Sequence, residues 1–155
     1  MSDATTAPTT AAGTAARHEF ASPGWMAQLR LAIDAAIGAA EDPSTISFSL
    51  SEQYNNVPGH LSPAGSLGWH VRIANGAIDF REEPARDVDA CIEGDYEAIL
   101  PIARLLVGGD PAREAEINRL AADAMAAGKF SITGNLASMP AALAGLHDAV
   151  AGFTE

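Results

Sequence analysis

Five short stretches of the chain alternate apolar with polar residues, and this period-two pattern limits the fold more than any other feature. Ile46, Phe48 and Leu50 alternate with Ser47, Ser49 and Ser51, and Leu67, Trp69, Val71 and Ile73 alternate with His70 and Arg72. Ile78 with Phe80 comes third, Val88, Ala90 and Ile92 fourth, and Phe130 with Ile132 last. Side chains along a strand point to opposite faces in turn, so each stretch has one apolar face that something must cover. Asn75-Gly76, between the second and third stretches, is a strong hairpin signal. Across that hairpin Arg72 and Arg81 are expected to meet Asp79 and other acids in a solvated ladder.

Helical spacing supplies the cover. Trp25, Leu29, Ile33 and Ile37 follow Ser22-Pro23-Gly24 at four-residue intervals, and this helix is expected to end near Glu41-Asp42-Pro43. After the fourth strand Asp95 is placed as the cap of a helix bearing Tyr96, Ile99, Leu100, Ala103, Leu106 and Val107. Pro101 should kink or tighten it, and Gly108-Gly109 should end it. Asp110-Pro111 opens another helix with a stripe of Ile117, Leu120, Ala121 and Ala124, stopped by Gly128. Beyond the fifth strand, Gly134-Asn135 breaks the chain, and Pro140 is placed in the first turn of a closing helix carrying Leu143, Leu146, Val150 and Phe153. The order of elements predicts an α+β domain, a five-stranded, mainly antiparallel sheet with helices covering one face. The domain is expected over residues 22–155, with residues 1–21, rich in Ala and Thr, as a disordered leader.

Charge and composition exclude several functions. Nine Lys and Arg against 20 Asp and Glu give a net charge of −11, a surface that repels phosphate backbones and anionic membranes, so no nucleic-acid partner is expected. No apolar run approaches the length that spans a bilayer. Cys91 is the one cysteine, which excludes an internal disulfide and a Cys-rich zinc site and leaves the cytoplasm as the default compartment. The last residues, Gly152-Phe153-Thr154-Glu155, match no known address. His60, His70 and His147 do not fall at metal-ligand spacing, and the sequence contains no phosphate loop, nucleotide fingerprint or nucleophile elbow, so neither metal nor cofactor is expected.

Two ordered segments carry a resemblance. Val88-Asp89-Ala90-Cys91-Ile92-Glu93-Gly94-Asp95 enters a helix, and Gly128-Lys129-Phe130-Ser131-Ile132-Thr133-Gly134-Asn135 enters the closing one, with the Gly109-Asp110-Pro111 helix start between them. With the N-terminal helix and the strand meander before them, these segments resemble the sterol carrier protein 2 (SCP2-like) family from about Trp25 to the C-terminus. The resemblance implies helices over one face of a five-stranded sheet, and between the layers an apolar tunnel for lipids, sterols or acyl chains. The helix from Asp110 to Ala127 is longer than the family's usual connection, and Pro101 is unexpected in its helix. The implied function is a carrier for an elongated apolar ligand.

The candidate binding residues are the apolar sheet positions Phe48, Leu50, Trp69, Val71 and Phe80, with Ile99, Ala103, Leu120, Ala124 and Leu143 from the helix stripes. Apolar periodicity fits either a filled core or a cavity at these positions. Glu52 and Tyr54 stand apart, because they continue the inward parity of Phe48 and Leu50. Either the strand keeps its register and buries a carboxyl, or it twists after Leu50 and turns both residues to water. In the first case the carboxyl's pKa rises, which suits a general acid or base. This leaves a second function open: a cofactor-independent lyase, isomerase or hydrolase for a hydrophobic or aromatic substrate, using Glu52, Tyr54 and His60 from the loop over Asn55 to Gly65. His70 is expected to be solvated on the polar strand face, and His147 to flank the closing helix. Cys91 has outward parity and no partner that would make it a nucleophile. The sequence leaves the oligomeric state open.

Overall fold

A computed structural model describes residues 16–155. The chain forms helix α1 (Pro23–Gly38), strands β1 (Phe48–Asn55), β2 (Ser66–Ala74), β3 (Ala77–Arg81) and β4 (Ala90–Asp95), helices α2 (Tyr96–Ala103) and α3 (Pro111–Ala126), strand β5 (Phe130–Gly134) and helix α4 (Leu146–Phe153). Short 3-10 turns at Pro43–Thr45, Leu136–Ser138 and Ala141–Leu143 join them. The five strands make one sheet in the order β3-β2-β1-β4-β5. It is mixed and mostly antiparallel, since only the central β1–β4 pair is parallel. The predicted α+β class and the five strands are observed.

α1 starts as its sequence dictates: the Ser22 hydroxyl accepts the Trp25 N–H and Pro23 stands in the first turn. Its stripe of Trp25, Met26, Leu29, Ile33 and Ile37 is buried. The β2–β3 hairpin turns at Asn75 (φ 49°) and Gly76 (φ 81°), both left-handed as the tight turn requires. Gly68 is needed for a different reason. A Cβ there would lie 2.3 Å from the Glu52 carbonyl oxygen, so a side chain would push β2 off β1.

The structure corrects several sequence-based expectations. The fold begins before Ser22. Phe20 and Ala21 are buried, His18 N–H donates to the Phe153 carbonyl at 2.7 Å, and Glu155 N–H to the His18 carbonyl at 2.9 Å. The rest of the expected leader, up to residue 15, lies outside the described residues. α2 ends at Ala103, so Leu106 and Val107 are not part of it, and Leu106 is exposed. Asp95 occupies the cap position but its side chain does not cap; it accepts a hydrogen bond from Asn56 Nδ2 at 3.0 Å. The closing helix is broken: Pro140 precedes a 3-10 turn, and α4 begins only at Leu146. α3 buries none of its residues, because it packs outside the main layer against α2 and the edge strand β5. Ile132 on that edge is exposed.

The outer face of the sheet is not simply solvated. Residues 82–89 return across it and satisfy its polar groups. Ser51, fully buried, accepts the Ala85 N–H at 2.9 Å and donates to the Trp69 carbonyl at 3.3 Å. His70, expected in water, is buried there, its Nδ1–H donating to the Glu83 carbonyl at 2.6 Å. Arg72 binds the Asp87 carboxylate at 2.7 Å rather than Asp79, which pairs with Arg81 on its own strand at 3.3 Å. Ser51→Ala takes the acceptor from the half-buried Ala85 N–H. It should cost about 1 kcal/mol of stability in urea unfolding; an unchanged midpoint would mean that the 82–89 strap does not brace the sheet.

Candidate functional site: an apolar cavity with a carboxyl in its wall

A cavity of about 260 Å³ lies between the inner face of the sheet and the helices. Its sheet wall is built by Leu50, Glu52 and Tyr54 of β1, Trp69 of β2, Ile92 of β4 and Phe130 of β5. Strand register explains the grouping. Glu52 pairs with Trp69 on one side and Ile92 on the other, so the three side chains project from the same face in a row. The opposite wall comes from Trp25 and Leu29 of α1, Ile99, Ile102 and Ala103 of α2, and the stretch from Leu136 to Val150. Phe20 closes one side, within 4.9 Å of Trp25 and 4.8 Å of Tyr54 ring to ring.

Glu52 keeps the inward parity read from the sequence, and the alternative of a twist to water is not taken. Glu52 is half-buried and lines the cavity. Tyr54 Oη donates to Glu52 Oε2 at 2.7 Å, and Trp69 Nε1 donates to Tyr54 Oη at 2.8 Å. This relay holds the carboxyl in one orientation. Burial raises the Glu52 pKa above the ordinary 4.5, and the polar hydrogens of Tyr54 and, next to it, Trp69 oppose the rise without cancelling it. Burial, followed by the neighbouring Glu52 charge, pushes the Tyr54 hydroxyl well above 10, so it stays a donor at neutral pH.

The other sequence-derived candidates divide. Leu50, Trp69, Ile99, Ala103 and Leu143 line the cavity with Glu52 and Tyr54. Phe48, Val71 and Phe80 are buried but do not reach it; Phe80 stacks on Trp69 with 5.7 Å between ring centres, and all three belong to the filled part of the core. Leu120 and Ala124 stay on α3, half-buried and away from the cavity, because α3 covers α2 and β5 instead of the sheet's inner face. His60 is exposed, its Nε2 2.7 Å from Glu19 Oε1, and is not part of the cavity wall. The histidine that does line the cavity is His147, whose Nε2–H donates to the Leu105 carbonyl at 2.8 Å. Beside it Asp148 accepts the Val107 and Gly108 N–H groups at 2.8 and 3.0 Å, and these two bonds hold its pKa below the usual 3.8. The sequence signal for His147 was its place one residue after Leu146 on the closing stripe. Phe20 gave no signal, since no periodic pattern surrounds it.

With this geometry in hand, solved structures give the fold its class. A solution structure of a conserved hypothetical protein from Thermus thermophilus, suggested in its description to be a sterol carrier protein, matches with a TM-score of 0.51 at 14% identity, over 92% of this chain and 94% of the other. A ubiquinone synthesis protein described as UbiJ-SCP2 matches with a TM-score of 0.45 at 12% identity, over 81% and 90% of the two chains. A crystal structure of sterol carrier protein 2 matches at 0.43 and 17% identity, over 87% and 94%. On the first of these matches the chain has the SCP2-like α+β fold: a five-stranded mixed sheet packed against four helices. No family model and no curated protein sequence matches it. Among the described residues no helix is long and apolar enough to cross a membrane, and no group of three or more His, Cys, Asp or Glu is placed to hold a metal ion.

The raised Glu52 pKa has a consequence for stability. A carboxyl with a higher pKa folded than unfolded binds more protons in the folded state between the two values, so stability falls as pH rises through that window. Glu52→Gln removes this term. Its stability relative to the natural protein should be level below the ordinary 4.5 and climb as pH rises above it, measured by urea unfolding across pH. Parallel curves would place the carboxyl in water.

Proposed function

We propose that the protein is a binding or carrier protein for an apolar small molecule or lipid held between sheet and helices. The observation that carries this reading is the cavity itself, walled almost entirely by apolar side chains between the sheet and the helices. A void of this kind costs stability through lost contacts, and binding an apolar molecule restores them. The fold class adds support, since the matched Thermus protein is described as a sterol carrier candidate. Binding would proceed by burial of ligand area against Leu50, Trp69, Ile92 and Phe130, with polar groups of the wall orienting a head group.

Trp25 and Trp69 both face the cavity, so intrinsic emission should change when fatty alcohol, fatty acid or sterol probes are added. Ala103→Phe projects a ring from the α2 wall. It should weaken binding at least tenfold while leaving the melting temperature level or higher, because filling an apolar void adds contacts. A folded protein that takes up no apolar probe at micromolar concentration would overturn the carrier reading.

One observation favours a second reading. A carboxyl of raised pKa, oriented by Tyr54 inside an apolar cavity, is what a general acid or base needs, and a cofactor-independent lyase, isomerase or hydrolase for a hydrophobic or aromatic substrate could use it. Here Glu52 and Tyr54 would act without His60, which lies outside the cavity wall. Any turnover found in a substrate screen should vanish in Glu52→Gln, and an unchanged rate would remove Glu52 from the chemistry.

A further inference from the structure

The hydrogen-bonding groups of the cavity wall are unbalanced. Five wall residues carry polar side-chain atoms: Trp25, Glu52, Tyr54, Trp69 and His147. Every donor among them is already committed inside the protein. Trp25 Nε1–H goes to Thr154 Oγ1 at 2.9 Å, Trp69 Nε1–H to Tyr54, the Tyr54 hydroxyl to Glu52, and His147 Nε2–H to the Leu105 carbonyl. With Glu52 ionised, the state in which the proposal applies, what remains is acceptor capacity. A carboxylate offers about four lone-pair sites, and Tyr54 takes one of them. In a neutral His147 with its proton on Nε2, Nδ1 is a second acceptor, and no described residue donates to it.

We propose that Glu52 anchors the polar end of the ligand, and that this end is a hydrogen-bond donor, a hydroxyl or an amine, on a compact apolar body of about ten non-hydrogen atoms. The inference rests on the carrier reading and specifies the ligand of that same site. The size follows from volume. An apolar cavity near 150 Å³ encloses benzene, about 25 Å³ for each carbon, so a cavity of about 260 Å³ takes about ten such atoms. The head follows from what the wall lacks: a ligand that brings a donor satisfies Glu52, whereas an ionised fatty acid places a second carboxylate against it. An amine adds opposite charge beside the carboxylate. The only other titratable groups on the wall are Tyr54 and His147. Tyr54 already points its proton at Glu52, so it cannot welcome an anion there.

Decan-1-ol, decylamine and decanoate share one apolar chain and differ at the head. Their dissociation constants, measured by tryptophan emission on the full chain at about pH 8 where decanoate is ionised, test the proposal directly. The alcohol or the amine, and by expectation both, should bind more than about fivefold tighter than decanoate, a gap equal to one ordinary hydrogen bond. The gap should close in Glu52→Gln, which keeps the shape and the acceptor for Tyr54 but removes the charge. If only one of the two donors shows the gap, it identifies the head. A gap below that figure for both donors, or one that persists in Glu52→Gln, overturns the role of Glu52. If none of the three binds while a larger sterol probe does, the size inference fails and the carrier reading stands. If no apolar probe of any size binds, the carrier reading fails with it.

Discussion

β1 is hydrogen-bonded along both edges, to β2 from Phe48 to Asn55 and to β4 from Leu50 to Asn55, and the rest of the molecule depends on that double ladder. A strand paired on both sides cannot slip by one residue without turning every side chain to the other face. The register therefore commits Leu50, Glu52 and Tyr54 to the interior and Ser49, Ser51 and Gln53 to the outside. Placing a carboxyl inside is costly, and an edge strand could have avoided the cost by fraying or bulging. β1 cannot, so the energy that keeps Glu52 in place comes from the ladders, and its orientation comes from Tyr54 and Trp69.

The same constraint shapes the two layers around it. On the outer side, the backbone of residues 82–89 supplies the Glu83 carbonyl to His70 and the Ala85 N–H to Ser51, which also donates to the Trp69 carbonyl. On the inner side, Phe20 packs its ring against Trp25 of α1, Tyr54 of β1 and Tyr96 of α2 and joins the helices to the sheet there. Trp25 Nε1 fixes that cluster to Thr154 near the C-terminus, and the chain beside His18 pairs with the same terminal segment. Phe20, Trp25 and Tyr54 of this cluster also line the cavity, together with small residues such as Ala103 and Ala144.

How much of this was legible in the sequence depends on the range of the interaction concerned. Alternation revealed all five strands, because parity is a property of the local chain; it left open whether Glu52 turns inward, and it placed Ile132 on a covered face although that residue is exposed. The Asn75-Gly76 turn and the start of α1 were legible for the same reason. Phe20 was not, since its burial depends on Tyr54, Tyr96 and Trp25, which come later in the chain, and nothing periodic precedes it. His70 was placed in water because the strand pattern carries no record of a strap crossing the outer face. Leu120 and Ala124 were assigned to the site on helical spacing that was read correctly, but spacing reports a covered stripe and not what covers it; α3 covers its stripe with α2 and β5. Leu106 and Val107 were lost from α2 by the same limit: their spacing continued, but the helix ended at Ala103 and the following backbone turned its N–H groups to Asp148.

The division between filled core and cavity was the part least accessible to pattern, since Phe48 and Leu50 have the same parity, similar burial and neighbouring inward places on β1, yet only Leu50 meets the void. The polar residue among them is the better guide. In a core filled by apolar atoms, a carboxyl at the position of Glu52 would have to find donors for every lone pair or be displaced to water. Here it is neither saturated nor expelled, because the space beside it is unfilled by protein. An acid with unused acceptor capacity and a void with unused volume occur at the same place, and one bound molecule with an apolar body and a donor at its end would relieve both. On the carrier reading that coincidence would tie stability to ligand binding: the features that cost folding energy are those that would supply affinity and selectivity.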